Sequence, residues 1–312
     1  FGLGADHYLK TGETLPEPIF ERLRDEFDAI FVGAFGDPRV KGNEHARDIL
    51  LGLRFRLDLY VNMRPIQLLS GDLSPLVGKG PDDIDFVIFR ENTEGLYTGH
   101  GRVTDEGTKD EVAVSEMRCT YQGVRRIIEA AFQHARKKQL RRVCMTDKSN
   151  AVERVGRLWQ RVFREVAEEY PEIETSHLYI DALCMEMVRA PEQFDIIVAG
   201  NLFGDIISDL GSQLQGGIGT AASANLHPQK SGLFEPVHGS APTIAGKGLA
   251  NPVGTFLSAA YMLDFLGFGQ AAERLSRATI AGLRAGVRTP DLGGSASTSV
   301  ITDDVLMRLE RT

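Results

Sequence analysis

Short apolar runs alternate along this chain with segments of helical period, and few folds accommodate that rhythm. The runs 27–35, 85–90, 141–146, 175–182 and 194–199 are filled by Val, Ile and Phe, and most are bounded by Asp, Gly or Pro. That is the pattern of strands buried on both faces. Helices are predicted at 17–26, 46–60, 115–138, 154–169, 205–215, 252–266, 271–285 and 303–311. Within 129–136 the apolar positions recur at three and four, and basic residues close the segment. The alternation argues for an α/β fold with a largely parallel sheet. Two stretches break it. The segment 97–114 is rich in Gly and Thr around the turn signal Asp105-Glu106-Gly107-Thr108, which predicts a hairpin or arm. The segment 216–251 opens on Gly216-Gly217-Ile218-Gly219 and reads as one long loop. Ordered loops of that length inside a domain are usually functional.

Composition narrows the function classes. A chain of 312 residues, 42% apolar and 25% charged, has the mix of a soluble globular protein of one large or two ordinary domains. A net charge of −8 disfavours sequence-independent nucleic-acid binding, which needs Lys and Arg against phosphates. No apolar run approaches the roughly 18–20 residues of a membrane span, and no signal-peptide pattern is visible. Cys119, Cys144 and Cys184 imply no disulfide framework and point to a reducing, cytoplasmic setting. The chain opens at Phe1 in what reads as a connection, so a preceding segment is expected to be absent.

The familiar chemical motifs do not occur. No strand is followed by G-x-G-x-x-G, and no phosphate-binding loop, H-E-x-x-H, C-x-x-C or G-x-S-x-G is present. Four other groupings remain. Arg54, Arg64 and Arg90 sit in or beside apolar stretches, where converging guanidinium forks would suit a small di- or tricarboxylate. Each also reads as half of a structural ion pair, Arg90 with Glu91 or Arg54 with Asp58. Asp205 and Asp209 share one side of a predicted helix, and Asp181 ends a predicted strand. Converging carboxylates suit Mg²⁺ or Mn²⁺, although Asp205 alone reads equally as an acid at a helix start. Lys148 follows a strand, as a cleft base or a turn lysine. The stretch 235–252 is long and rich in small residues, which let backbone N–H groups approach a phosphate or ribose. His238 and Asn251 there could frame an adenine edge.

Together these groupings resemble the β-decarboxylating dehydrogenases, the family acting on 3-isopropylmalate, isocitrate, homoisocitrate and tartrate. Three stretches carry the resemblance in order: Arg90-Glu91-Asn92-Thr93-Glu94-Gly95-Leu96-Tyr97, Asn201-Leu202-Phe203-Gly204-Asp205-Ile206-Ile207-Ser208-Asp209, and the 235–252 loop. The resemblance implies a two-domain α/β fold with a continuous central sheet and a dimer arm at 97–114, not a standard Rossmann fold. Residues 1–60 plus 217–312 would form the cofactor domain, and 61–216 the substrate, metal and dimerisation domain.

Site roles follow from the same resemblance. Arg54, Arg64 and Arg90 fall where the family clamps the malate carboxylates. Tyr97 falls at its acid and Lys148 at its general base. Asp181, which would also touch the substrate, Asp205 and Asp209 match its Mg²⁺ or Mn²⁺ ligands. Glu235, His238, Gly239, Ser240, Ala241, Thr243, Ile244 and Asn251 fall on its dinucleotide loop. Lys148 and Asp181 would reach into the partner's site, so the active unit would be a homodimer.

Three departures bear on the details. The family's opening strand and its Gly-rich turn have no counterpart here. Thr243 stands where NAD-using members carry Asp, while Ile244 follows the NAD pattern, so NAD is the expected cofactor. Asp48 and Leu50 stand where isocitrate dehydrogenases place a Ser and an Asn, and Leu50 with Leu51 match an apolar wall. A buried carboxylate against Leu would lack a partner, unless Arg47 rescued it. The expected reaction is therefore oxidative decarboxylation of 3-isopropylmalate to 2-oxoisocaproate, a step of leucine biosynthesis. The Arg90–Gly95 signature keeps isocitrate, homoisocitrate, tartrate and malate as alternatives. A non-catalytic regulatory subunit and a metal-dependent hydrolase are the rivals from other classes.

Overall fold

The computed structural model describes residues 1–311. Among these the chain opens with α1 (Ala5–Thr11), α2 (Glu17–Asp25), β1 (Ala29–Phe31), α3 (Glu44–Arg56), β2 (Val61–Gln67) and β3 (Asp85–Glu91). It continues through β4 (Gly101–Thr104), β5 (Val112–Ser115), α4 (Tyr121–Lys138), β6 (Arg142–Asp147), α5 (Glu153–Ala167), β7 (Glu174–Tyr179) and α6 (Ile180–Arg189). It closes with β8 (Ile196–Ala199), α7 (Asn201–Leu214), β9 (Ala222–His227), β10 (Ser231–Pro236), α8 (Val253–Phe265), α9 (Gly269–Arg284) and α10 (Thr298–Glu310).

One eight-stranded sheet runs through the molecule in the order β1-β10-β9-β2-β3-β8-β6-β7. β8 is buried along its whole length, as a continuous Ile-Ile-Val-Ala strand at mid-sheet must be. α4 shows why the flanking helices form. Thr120 caps its first turn by accepting from Gly123 N–H. Val124, Ile127, Ile128, Ala131, Phe132 and Ala135 make one apolar stripe, and Gln139 ends it in the left-handed region. That stripe meets Trp159 and Phe163 of α5 on one face of the sheet. Leu183, Met187 and Ile207 of α6 and α7 cover the other face. A smaller core joins α2, α3 and β1 through Phe20, Leu23, Ile30, Ile49 and Leu53.

The expected α/β class holds, with four corrections. The sheet is mixed rather than largely parallel, since β10–β9, β9–β2 and β2–β3 run antiparallel. The segment 216–251 contains β9 and β10, strands whose apolar residues are too interrupted by small and polar ones for hydropathy to reveal them. The predicted strand at 175–182 stops at Tyr179, and Asp181 lies instead in the first turn of α6. The helix predicted at 205–215 starts at Asn201, so Asp205 is past the first turn and does not cap it. The hairpin at 97–114 forms as β4 and β5, turning where Thr108 N–H donates to Asp105 C=O.

Candidate active site

The sheet itself assembles the polar cluster. Leu233, Asn225, Asn62, Arg90 and Ala199 are successive cross-strand partners from β10 to β8. Side chains in such a row share a face. Arg64 is two residues beyond Asn62, and Ser223 and Glu235 pair with each other two residues from the row, so all stand on that face. α7 lies over it. Gly204 permits the approach, because a Cβ there would sit 2.7 Å from the Arg90 side chain.

Arg90 is 3% exposed and donates to Asn201 Oδ1 from Nε at 3.0 Å and from Nη2 at 2.8 Å. Its Nη1 pairs with Asp205, whose other carboxylate oxygen accepts from the Tyr97 hydroxyl. Burial pushes the Arg90 guanidinium below its ordinary value, and Asp205 opposes that. Arg64, also buried, donates through Nε to Asn62 Oδ1 at 2.7 Å. Burial, then repulsion from Arg90 and Arg54, lowers its pKa to about 10. Arg54, from α3, donates to Glu235 Oε1 at 2.8 Å. Its Nε is buried and has no hydrogen-bond partner among the described residues. A buried guanidinium N–H left unpaired is costly without a ligand.

The carboxylates divide into two groups. Burial first, and then the like charge of Asp205, raises Asp209 above its ordinary value, with Arg64 and Arg90 opposing. Burial, then the Asp205 bond, raises Tyr97, so its hydroxyl stays protonated. Asp181 instead accepts from Lys148 Nζ at 2.6 Å, and that bond is what lowers it. Among the described residues no three acidic, His or Cys side chains gather around one metal position. Asp181 therefore does not join Asp205 and Asp209 within the chain. Two repelling oxygen donors at i and i+4 still suit a hard divalent cation that lacks its remaining ligands.

Beside Arg54 and Arg64 a cleft of about 320 Å³ is walled by Leu50, Ala46 and Glu235. Leu50 and Ala46 precede Arg54 by four and eight residues, one stripe of α3. Leu51 is turned about 100° from that stripe, and the cleft wall is formed by Leu50 and Ala46. Arg47 is exposed and bonded to Asp48 at 3.2 Å, away from the cleft.

A larger cleft of about 670 Å³ continues from it, sharing Ala34, His238, Gly239 and Ser240, and is lined further by Ala241, Ile244 and Asn251. Buried His238 Nε2 has no partner among the described residues, and Ala241 is held at φ 44°. An orphaned donor or acceptor, strained backbone and small residues fit a dinucleotide. Glu235 lines the smaller cleft with His238, Gly239 and Ser240 and accepts from Arg54 and Asn225. Asn251 lines the larger cleft, where its Nδ2 donates to Asp291 at 3.0 Å and its Oδ1 accepts from Val253 N–H at 3.0 Å, leaving one N–H and one lone pair of the amide. Thr243 is exposed and lies off the cleft wall. Sequence reading missed Asn62, Asn201, Asn225, Ser208 and the cleft residue Asp291. A polar residue inside an apolar run was the available signal for Asn62.

Known proteins resemble this chain over nearly its whole length. The family model for isocitrate/isopropylmalate dehydrogenase matches residues 1–305. A 3-isopropylmalate dehydrogenase of Thermobifida fusca is 44% identical over 99% of this chain and 87% of its own length. One from Corynebacterium jeikeium is 45% identical over 99% and 90%. The crystal structure of isocitrate dehydrogenase from Methylococcus capsulatus superposes with a TM-score of 0.89 at 36% identity, covering 98% of this chain and 88% of that one. With the arginine cluster, the paired aspartates and the loop in place, this chain belongs to the isocitrate/isopropylmalate dehydrogenase family.

Proposed function

We propose that the chain oxidatively decarboxylates a 3-substituted malate, with 3-isopropylmalate as its substrate, NAD as oxidant and Mg²⁺ or Mn²⁺ as the metal. The observation that carries this is the gathering of Arg54 and Arg64 on one cleft with Glu235 and the Leu50 wall. Arg54, Arg64 and Arg90 meet Glu235, Asp205 and Asp209, charge against charge. A dicarboxylate and a divalent cation then enter as a mutually neutralising pair.

The bound groups supply Lewis acidity at the 2-hydroxyl and a hydride acceptor for C2. The residues do the rest. The arginines would hold the carboxylates, Arg54 and Arg64 from the cleft they line together. Lys148 takes the hydroxyl proton as C2 is oxidised. Loss of CO₂ leaves an enolate, and the protonated Tyr97 donates to C3. Leu50 packs against the 3-substituent. Asp205 and Asp209 hold the metal from one subunit, and Asp181 with Lys148 completes the site of the other. Two observations support that sharing. Asp181 stays apart from the aspartate pair within one chain. The β4–β5 arm carries Val103 and Val112 about half exposed, a surface suited to a second copy. Domains 1–60 plus 217–312 and 61–216 would close over the paired clefts.

The test supplies 3-isopropylmalate, NAD⁺ and Mg²⁺ and follows NADH and CO₂ together. Equal yields of the two that vanish with chelator are expected. NADH formed without CO₂, or no NADH at all, contradicts the proposal.

A further inference from the structure

Beneath the arginines runs a chain of hydrogen bonds whose donors all point one way. Arg64 Nε donates to Asn62 Oδ1 at 2.7 Å. Asn62 Nδ2 donates to Asn225 Oδ1 at 2.7 Å. Asn225 Nδ2 donates to Glu235 Oε1 at 3.0 Å, the same oxygen that accepts from Arg54. Asn62 and Asn225 have no exposed surface. Asn225 is also fixed from its sides, by Asn92 Nδ2 at 3.1 Å and by the Leu233 carbonyl at 3.3 Å. Its amide therefore has one orientation: the other would face donor to donor and oxygen to carboxylate.

One carboxylate thus serves two arginines, Arg54 directly and Arg64 through two amides. Buried hydrogen bonds in series polarise one another. We propose that Asn225, acting with Asn62, is a positioning residue that relays the Glu235 charge to Arg64. It fixes the separation and the shared charge of the two guanidiniums that receive the substrate carboxylate. The inference rests on the reading of Arg54 and Arg64 as carboxylate ligands. It adds a residue of β9 that touches neither substrate nor cofactor, in a segment whose sequence reads as loop. The charged or titratable groups around Asn225 are Glu235 on β10, Arg54 on α3, Arg64 on β2, Arg90 in the same cross-strand row and His227 further along β9.

The near-isosteric Asn225→Asp tests the relay. When protonated, the new carboxyl can still donate to Glu235. When ionised, it faces that carboxylate with like charge and the link breaks; such a pair holds one shared proton at low pH. The substrate KM of Asn225→Asp should stay within about twofold of wild type near pH 6 and exceed it roughly tenfold or more near pH 8.5, while kcat and NAD affinity hold within about threefold, as for lost uniform binding. A KM ratio that is flat with pH, or a loss of NAD affinity in parallel, overturns the proposal. Should that variant fail to fold, Asn62→Leu removes the link between Arg64 and Asn225 and should raise the substrate KM roughly tenfold at both pH values with kcat and NAD affinity within about threefold; an unchanged KM there overturns the proposal. Arg54→Lys, assayed alongside, separates the two levels. A raised KM there with a wild-type profile in Asn225→Asp overturns the relay alone; an unchanged KM overturns the carboxylate reading and the relay with it.

Discussion

The two clefts are built on opposite plans. Around Arg54, Arg64 and Arg90 nearly every polar atom is buried and bonded to another side chain before any ligand arrives. The 238–251 loop is mostly exposed, and its His238 makes one bond, from Nδ1 to the neighbouring Gly239 carbonyl. The difference follows from the ligands expected in each. A small, multiply charged acid needs preset charges at fixed separations, and setting them in the sheet avoids reorganisation during the reaction. A long dinucleotide gains from many weak backbone contacts, so no single side chain there dominates. Substitutions in the first region should therefore be severe and those in the second mild.

The largest expected effect lies just outside both regions. Lys148→Met should cut kcat roughly 10²–10⁴-fold, the usual contribution of a positioned base, with NAD affinity nearly intact. A variant of normal turnover would remove Lys148 from the chemistry. Next comes Arg90→Met, which strands Asn201 and Asp205 as well as losing a carboxylate ligand. It should lower kcat/KM roughly 10²–10³-fold and depress Tm measurably. A loss confined to Tm would make Arg90 purely structural.

Leu50→Ser is a milder test within the same cleft. Shrinking the apolar wall should cost 3-isopropylmalate roughly tenfold in kcat/KM against malate, about the value of one or two buried methylenes. An unchanged ratio would place the 3-substituent elsewhere. The smallest effect belongs to the loop. Thr243→Asp, at an exposed position off the cleft wall, should change NAD affinity by less than about threefold, the usual range for a surface substitution, with kcat unchanged. A change larger than that of Arg90→Met would invert the contrast between the clefts.

The site's donors were legible in sequence because arginines inside apolar runs are conspicuous. Their partners were not. Arg90 was paired with Glu91, yet neighbours on a strand face opposite sides, and Asp205 lies 115 residues away. Arg54 was paired with Asp58 at helical spacing, but α3 ends at Arg56 and Asp58 sits at φ 50° beyond it. Glu235, the actual partner, is 181 residues distant. β9 and β10 escaped notice for a related reason. Ser223 and Asn225 accept from Asn62, and Asn225 donates to Glu235, so these residues are buried through polar bonds and the apolar signal of their strands shrinks to short pieces such as Leu233-Phe234. α6 and the true start of α7 were missed where strand and helix abut without a turn signal. Most helices were legible because periodicity reports burial on a core, and the exposed arm was legible from its turn signal at 105–108.

The central claim is that Leu50 and the prebonded arginines select a malate with an apolar 3-substituent. Its most direct test is kcat/KM for 3-isopropylmalate, isocitrate and unsubstituted malate, side by side with NAD⁺ and saturating Mg²⁺. The isopropyl substrate should exceed malate by about 10–100-fold, since each buried carbon contributes about 0.8 kcal/mol, and isocitrate should fall below both because its extra carboxylate finds no partner on that wall. A wild-type preference for isocitrate would contradict the account and place an unrecognised cation at the Leu50 end of the cleft.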